Sequence, residues 1–300
     1  MIRKRRSINH AKSNSRSPLM IALFVLLSVY AVMMILPIVW GFFEALMDGE
    51  KIESTVIPWP SDWKFDNFWK AFGFFYVPVQ SETGTVYPNL WFMFGYTMVY
   101  AVGSAFMSTF VPCLVAYLTA RFDYFFSRLV NVFVIVAIAL PIVGSLPSEI
   151  QMAKTLGLYD RLWGIWIMKG HFISIYYLIF HARFKAFPTS YEEAAQIDGA
   201  GHFRIFFQIM LPLVKNLFWT VFLIMFISFW NDYYTPLVYM PSYPTIAYGM
   251  WYFNSSTENT ISNVPMKITG CMLMLIPILV VFSIFSKQLM GSLTEGGDKE

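Results

Sequence analysis

Charge is scarce in these 300 residues: 13% are Asp, Glu, Lys or Arg, against about 25% in soluble domains. Water alone is a poor solvent for such a chain. Cysteine is scarcer still. Cys113 and Cys271 lie in strongly apolar stretches and are too few for a disulfide framework or a metal site, so they read as inert buried thiols. No His-Glu-x-x-His spacing and no nucleophile–base constellation is present, which argues against a membrane enzyme. Nor is there a Gly-x-x-x-x-Gly-Lys-Ser/Thr phosphate loop, so the chain has no visible means of cradling ATP and no bound cofactor or metal is expected. Internal repeats and low-complexity tracts are missing too, which leaves one membrane domain.

What is abundant is apolar surface: 57% of residues are hydrophobic and the mean hydropathy is +0.55. A helix that crosses a bilayer needs roughly 20 predominantly apolar residues. Six segments meet that need: Leu19 to Phe43, Leu90 to Leu118, Leu129 to Leu146, Leu162 to Phe180, Leu213 to Met240 and Lys267 to Met290. The expected fold is all-α and polytopic, with a six-helix membrane domain over residues 19–290, a basic tail 1–18 before it and a short tail 291–300 after it. The net charge of +3 comes largely from Arg3, Lys4, Arg5, Arg6, Lys12 and Arg16. Directly before an apolar run, and with no soluble domain to present it, this cluster reads as membrane-surface anchoring and not as a nucleic-acid patch. The first apolar run also exceeds the ~7–15-residue core of a signal peptide, so a retained helix is expected.

Lys and Arg are retained on the cytoplasmic side of a membrane. Alternation of six spans places inside the basic tail, Arg121, Arg128, the stretch with Arg183, Lys185, Arg204 and Lys215, and the tail after Lys287. Outside fall Met47 to Pro88, where Glu50, Glu53, Asp62, Asp66 and Glu82 outnumber Lys51, Lys64 and Lys70, and the nearly uncharged loop from Pro241 to Pro265. Both termini are therefore expected in the cytoplasm of a bacterial or archaeal cell membrane. Pro37, Pro112, Pro141 and Pro277 fall in or near apolar runs, where packed membrane helices tolerate a bend.

The longest cytoplasmic loop, residues 184–212, has a legible local chemistry. Ser190 followed three residues later by Glu193, with Pro188 before them, reads as a capping box that starts a helix. Gly199 and Gly201 stop it, since glycine reaches the left-handed conformation without steric cost. A second stretch then places Phe203, Phe206, Phe207, Met210 and Leu211 at helical spacing on one face. With small Ala194 and Ala195 on the first helix, the segment reads as an element that docks against another protein. An isolated Glu-Ala-Ala trio carries little information; the full pattern carries much more.

That pattern is Glu193-Ala194-Ala195, three residues, Gly199, nine residues, Ile209, one residue and Leu211-Pro212. It resembles the signature cytoplasmic loop of ATP-binding-cassette (ABC) import permeases. Phe229-Trp230-Asn231-Asp232 with Pro236-Leu237, and Leu156-Gly157-Leu158, are similar to the carbohydrate branch of that family, and six spans with a short N-terminus resemble its smaller, maltose-type permease subunit. The resemblance covers most of the chain after Leu90 and implies a type I importer architecture. It assigns Glu193, Ala194, Ala195, Asp198, Gly199, Ala200, Leu211 and Pro212 to coupling with an ATPase. It further implies a second homologous permease, two ATPase subunits that bind ATP and magnesium, and an extracytoplasmic solute-binding protein, with no nucleic-acid partner. An ABC importer of a non-sugar solute, or an ion-coupled secondary transporter, are the alternatives.

Two groups of residues are candidates for the solute pathway. Lys169 lies about seven residues into the fourth span, roughly 10 Å from its outer end at 1.5 Å per residue. An ammonium at such a depth either snorkels to the interface or, with His171 nearby, faces a wet cavity or a partner. Trp230, Asn231, Asp232 and Tyr233 combine aromatic faces with hydrogen-bonding groups, as a sugar site needs; helix packing or an interfacial aromatic belt uses the same residues.

Overall fold

A computed structural model of the chain describes residues 18–49, 62–81, 84–140, 144–256 and 262–294, with side chains as far as residue 280 and at Ser283. The basic tail 1–17, Pro141, much of the acidic segment (Glu50, Lys51, Glu53, Glu82) and residues 295–300 lie outside the described residues.

The described residues are helical apart from one small antiparallel hairpin, β1 (Val79–Ser81) with β2 (Gly84–Val86). Helix α1 (Pro18–Ala45) carries Pro37 and leaves its apolar side chains largely exposed. After α2 (Asp66–Phe74) and the hairpin comes α3 (Leu90–Arg121). Asn89 starts α3 by accepting a hydrogen bond from the Phe92 N–H at 3.3 Å, and so satisfies one of the free donors of its first turn.

Helix α3 is the spine. Its first half anchors one core with Met93, Tyr100, Ala101 and Ala105, joined by Ile165, Phe229, Trp230, Met240 and Phe253. Its second half anchors another, where Cys113, Ala116 and Tyr117 meet Phe180, Phe184, Phe206, Met210 and Phe218. Small residues let neighbours approach closely, as association between helices in lipid requires. A Cβ at Gly103 would collide with the Trp166 indole, and one at Gly41 would lie 2.7 Å from the Met272 Cε.

Three expected spans differ in shape from simple rods. The third is the apolar helix α4 (Phe125–Ala139), followed by a separate α5 (Leu146–Thr155). The fourth, expected as one run over Leu162 to Phe180, is α6 (Leu162–Lys169) and α7 (Ile175–Ala186) with a non-helical break at residues 170–174. Gly170 closes α6, and the Ser174 side chain opens α7 by accepting from the Tyr177 N–H at 3.4 Å. The fifth is α11 (Lys215–Trp230), which ends ten residues before Met240; α12 (Tyr234–Tyr239) comes next, across a short break. Asp232 explains that stop, because its Oδ1 caps the new helix by accepting from the Thr235 N–H at 3.0 Å, a bond an uninterrupted helix would not leave open. Helix α13 (Ile246–Ser255) lies within the stretch expected outside, and α14 (Val264–Thr294) follows as the last helix among the described residues.

Among the described residues, α1 and α3 are each long and apolar enough to cross a bilayer. A third crossing is made if the segment before α11 counts with it across a 77° bend, and Phe125–Ala139 and Val264–Val280 are shorter apolar stretches.

Candidate functional site

The loop between α7 and α11 holds helix α8 (Ser190–Ile197), a turn, α9 (His202–Ile205), one π-helical turn Phe206–Met210 and the short α10 (Leu211–Leu213). The expected capping box is not formed. Thr189 precedes α8 with φ −66° and ψ −22° and no side-chain cap; the backbone is already helical there, so Ser190 sits inside the first turn where it cannot cap. Of the two glycines, only Gly199 is left-handed, at φ +78°. The Gly199 N–H donates to the Gln196 carbonyl at 3.0 Å and the Ala200 N–H to the Ala195 carbonyl at 2.9 Å, the paired bonds of a Schellman end. Gly201 has φ −72° and ψ 161° and precedes α9 in extended backbone.

The second stretch also departs from a regular apolar face. Ile205, Phe206 and Met210 are buried, whereas Phe203 is 81% exposed and Phe207 49%. A π turn follows at Phe206–Met210, where the Leu211 N–H reaches back to the Phe206 carbonyl and the extra residue shifts the register of what comes after; Phe203 lies ahead of it, in the first turn of α9. Pro212 cannot donate to a preceding carbonyl and its ring crowds the backbone one turn earlier, which accounts for the widened turn and for the 77° bend before α11.

One ion pair secures this loop, and neither partner stands out in the sequence. The Arg121 Nε, on the last residue of α3, lies 3.1 Å from the Glu192 Oε1 in the first turn of α8, with side chains 5% and 14% exposed. The contact is off the hydrogen-bond direction, and among the described residues the buried Arg121 Nη2 has no hydrogen-bond partner. Burial pushes the Glu192 carboxyl up, while Arg121 and then His202 pull it back toward the ionised form. Glu193, by contrast, is exposed and without an ion pair among the described residues. Ala195 is buried against the second core, and Ala194, Asp198, Gly199 and Pro212 face outward. Ala200 and Leu211 are half-buried. Ile197 is 86% exposed, and Phe203 borders a cavity of about 370 Å³ together with Leu118, Phe122 and Phe206.

A second polar feature lies at the break between α6 and α7. Lys169 ends α6, its carbonyl accepts from the Ser108 hydroxyl at 3.0 Å, and its Nζ donates to the Thr235 Oγ1 at 3.2 Å. Ser108 stands near the middle of α3, so the break is at mid-depth of that helix. Non-helical backbone at membrane depth is tolerated where protein buries it or where it lines a wet cavity. Here a cavity of about 330 Å³ is bounded by Glu149, Lys169, His171, Thr235 and Tyr239. Asp232 lies beside it and accepts from the Tyr100 hydroxyl at 2.7 Å.

Trp230, Asn231 and Tyr233 fall away from the cavity lining. Trp230 is fully buried, edge-on to Phe94 at 6.0 Å, and its Nε1 has no hydrogen-bond partner among the described residues. Asn231 is exposed and donates to the Ile227 carbonyl, and Tyr233 stacks on Trp251 with centroids 6.2 Å apart. His171 borders the cavity from an exposed position.

Comparison with known proteins places this geometry. The chain is similar to the maltodextrin permease MdxG of Bacillus subtilis, at 26% identity over 93% of this chain and 96% of that one. It is similar to the maltodextrin permease MalD of Streptococcus pneumoniae, at 28% over 79% and 81%. The diacetylchitobiose uptake permease NgcG of Streptomyces coelicolor matches at 23% over 90% and 86%. In fold it is similar to a chain of a bacterial ABC transporter that imports the acidic polysaccharide alginate, with a TM-score of 0.69 and 22% identity over 92% of this chain and 98% of that one. Residues 113–294, more than half the chain and including the entire loop and cavity break, match the model of binding-protein-dependent transport system inner membrane components, and the chain belongs to that family.

Proposed function

We propose that this chain is a permease subunit of an ATP-driven importer for oligosaccharides, in which helix α8 and its glycine turn receive the motion of ATPase subunits and pass it to the membrane helices. The observation that carries the reading is the loop itself. A short helix with an outward Glu193 and Ala194 ends in a Schellman turn at Gly199, and it is tied through Glu192 and Arg121 to the spine helix α3. Such a tie would convert movement of a docked partner into tilting of α3. The relatives' names supply the solute class. Six spans, both termini in the cytoplasm, a second permease, two ATPases with ATP and magnesium, and a solute-binding protein complete the proposal. An ion-coupled transporter would have no use for an outward-facing docking loop of this kind.

Copurification and labelling test this reading separately. Affinity purification of the full chain from its native membrane should bring down a homologous permease, an ATPase and a binding protein, and the chain purified free of them should hydrolyse no ATP. Robust hydrolysis by the chain alone would overturn the division of labour. Topology is checked with single cysteines in a background lacking Cys113 and Cys271. An impermeant maleimide should label Ser81→Cys in intact cells and spare Ser13→Cys and Ser292→Cys, whereas labelling of either tail would refute the orientation.

A further inference from the structure

From the hydrogen-bonding capacity of the cavity at the α6–α7 break, we infer that this subunit itself holds a subsite for a neutral saccharide, with Lys169 and Glu149 as its hydroxyl-recognising groups. The inference rests on the importer reading and adds to it a site and a ligand class.

An ammonium at membrane depth faces a partner or water, and Lys169 is half-buried. Lys169 has no carboxylate within ion-pair distance among the described residues; it donates one hydrogen bond, to Thr235, and its Nζ lies 5.6 Å over the Phe229 ring. An ammonium carries three N–H donors, so two remain for the cavity. Glu149 is oriented differently. Its Oε1 accepts from the Ser145 hydroxyl and its Oε2 from the Tyr239 hydroxyl at 2.9 Å. An ionised carboxylate has about four acceptor positions, so lone pairs stay free toward the cavity.

Free donors and free acceptors lining one small cavity suit a group that both donates and accepts, which is the property of a sugar hydroxyl. The charge balance selects further. Lys169 and Glu149 line the cavity, and a second carboxylate, Asp232, stands behind Thr235 and accepts from its N–H through Oδ1. One positive and two negative charges, with the His171 imidazole at the rim, do not favour an acidic sugar, although Lys169 alone would. The volume of about 330 Å³ is at the small end of ligand sites, ~300–1,000 Å³, enough for part of an oligosaccharide chain with the rest lying in the pathway. Tyr239 adds an aromatic wall.

The test is uptake into proteoliposomes that contain the complete importer, using maltotriose, diacetylchitobiose and arabinotriose as neutral probes and trigalacturonate as the acidic one. ATP-dependent uptake of a neutral probe is expected. Lys169→Met and Glu149→Gln should each raise its KM by roughly tenfold or more, with subunits retained in the complex, and Lys169→Arg should restore part of the loss. As an independent measurement, a cysteine at Met152, which is exposed and borders the cavity, should be protected from a thiosulfonate reagent by the neutral probe and not by trigalacturonate. Uptake of a neutral probe with unchanged KM in both variants, and no protection at residue 152, would overturn the subsite while leaving the importer reading intact. Uptake and protection by trigalacturonate alone would overturn the neutral class. Absence of ATP-dependent uptake of every probe would remove the importer reading and the subsite together.

Discussion

Gly199→Val is expected to reduce coupled uptake by at least tenfold while leaving membrane insertion untouched. Gly199 holds φ +78° with open space around its Cα, so the penalty arises from backbone conformation alone and not from a collision. A left-handed residue costs roughly 1–2 kcal/mol when a Cβ is present, and β-branching adds to it. The two Schellman bonds to Gln196 and Ala195 would be lost or distorted, and α8 would exit in a new direction. Gly201→Ala supplies the control: Gly201 has an ordinary φ of −72° and open surroundings, so it should transport normally. Glu193→Gln belongs in the same series. Because Glu193 does not cap its helix, removing its charge leaves the loop's own bonds in place, and a loss of ATPase retention would report on the partner contact. Subunit retention, ATP hydrolysis and uptake measured together decide the matter; normal coupled uptake by Gly199→Val and Glu193→Gln would reduce the motif to a local fold signal.

The second large effect is expected at Arg121. Removing one member of a buried ion pair strands the other, at a cost of about 3–5 kcal/mol. Arg121→Met should therefore release α8 from α3 and expose the loop, detected as faster tryptic cleavage at Arg183 or Lys185 in the detergent-solubilised full chain. Glu192→Leu alone should do the same, since Arg121 is the more deeply buried partner. The double variant Arg121→Met/Glu192→Leu replaces both charges with apolar groups of similar reach, so much of the loop protection should return. Protection and coupling need not return together: an apolar clamp that restores trypsin resistance but not the ratio of uptake to hydrolysis would show that the charges transmit motion as well as position the loop. Equal cleavage rates in wild type and all three variants would show that the pair positions nothing.

The sequence was most informative where local rules suffice. Long apolar runs led to α1, α3 and α14, and the glycine at 199 announced a left-handed turn that the structure contains. It was less informative where one residue alters the register of its successors along a helix. The π turn at Phe206–Met210 interrupts the ideal helical spacing that assigns Phe207 and Leu211 to one face with Phe206. The break at residues 170–174 was hidden because apolar residues flank it on both sides, although Gly170, His171 and Ser174 were the available signal. Arg121 and Glu192 stand far apart along the chain, and a pairing over such a distance has no local signature; Glu192 was also masked by its neighbour Glu193, which carries the motif. Lys169 drew attention by its depth, but Glu149, Thr235 and Tyr239 come from two other helices and are brought to it only by the fold.

ATP-dependent uptake by the reconstituted complex tests the central claim most directly. Proteoliposomes holding this chain with its copurified partners, and ATP with magnesium sealed on the loop side, should accumulate a radiolabelled oligosaccharide delivered by the binding protein. Accumulation should cease when a non-hydrolysable analogue replaces ATP, and it should not respond to collapse of proton or sodium gradients. Accumulation that continues without ATP and disappears with an ion gradient would contradict the account.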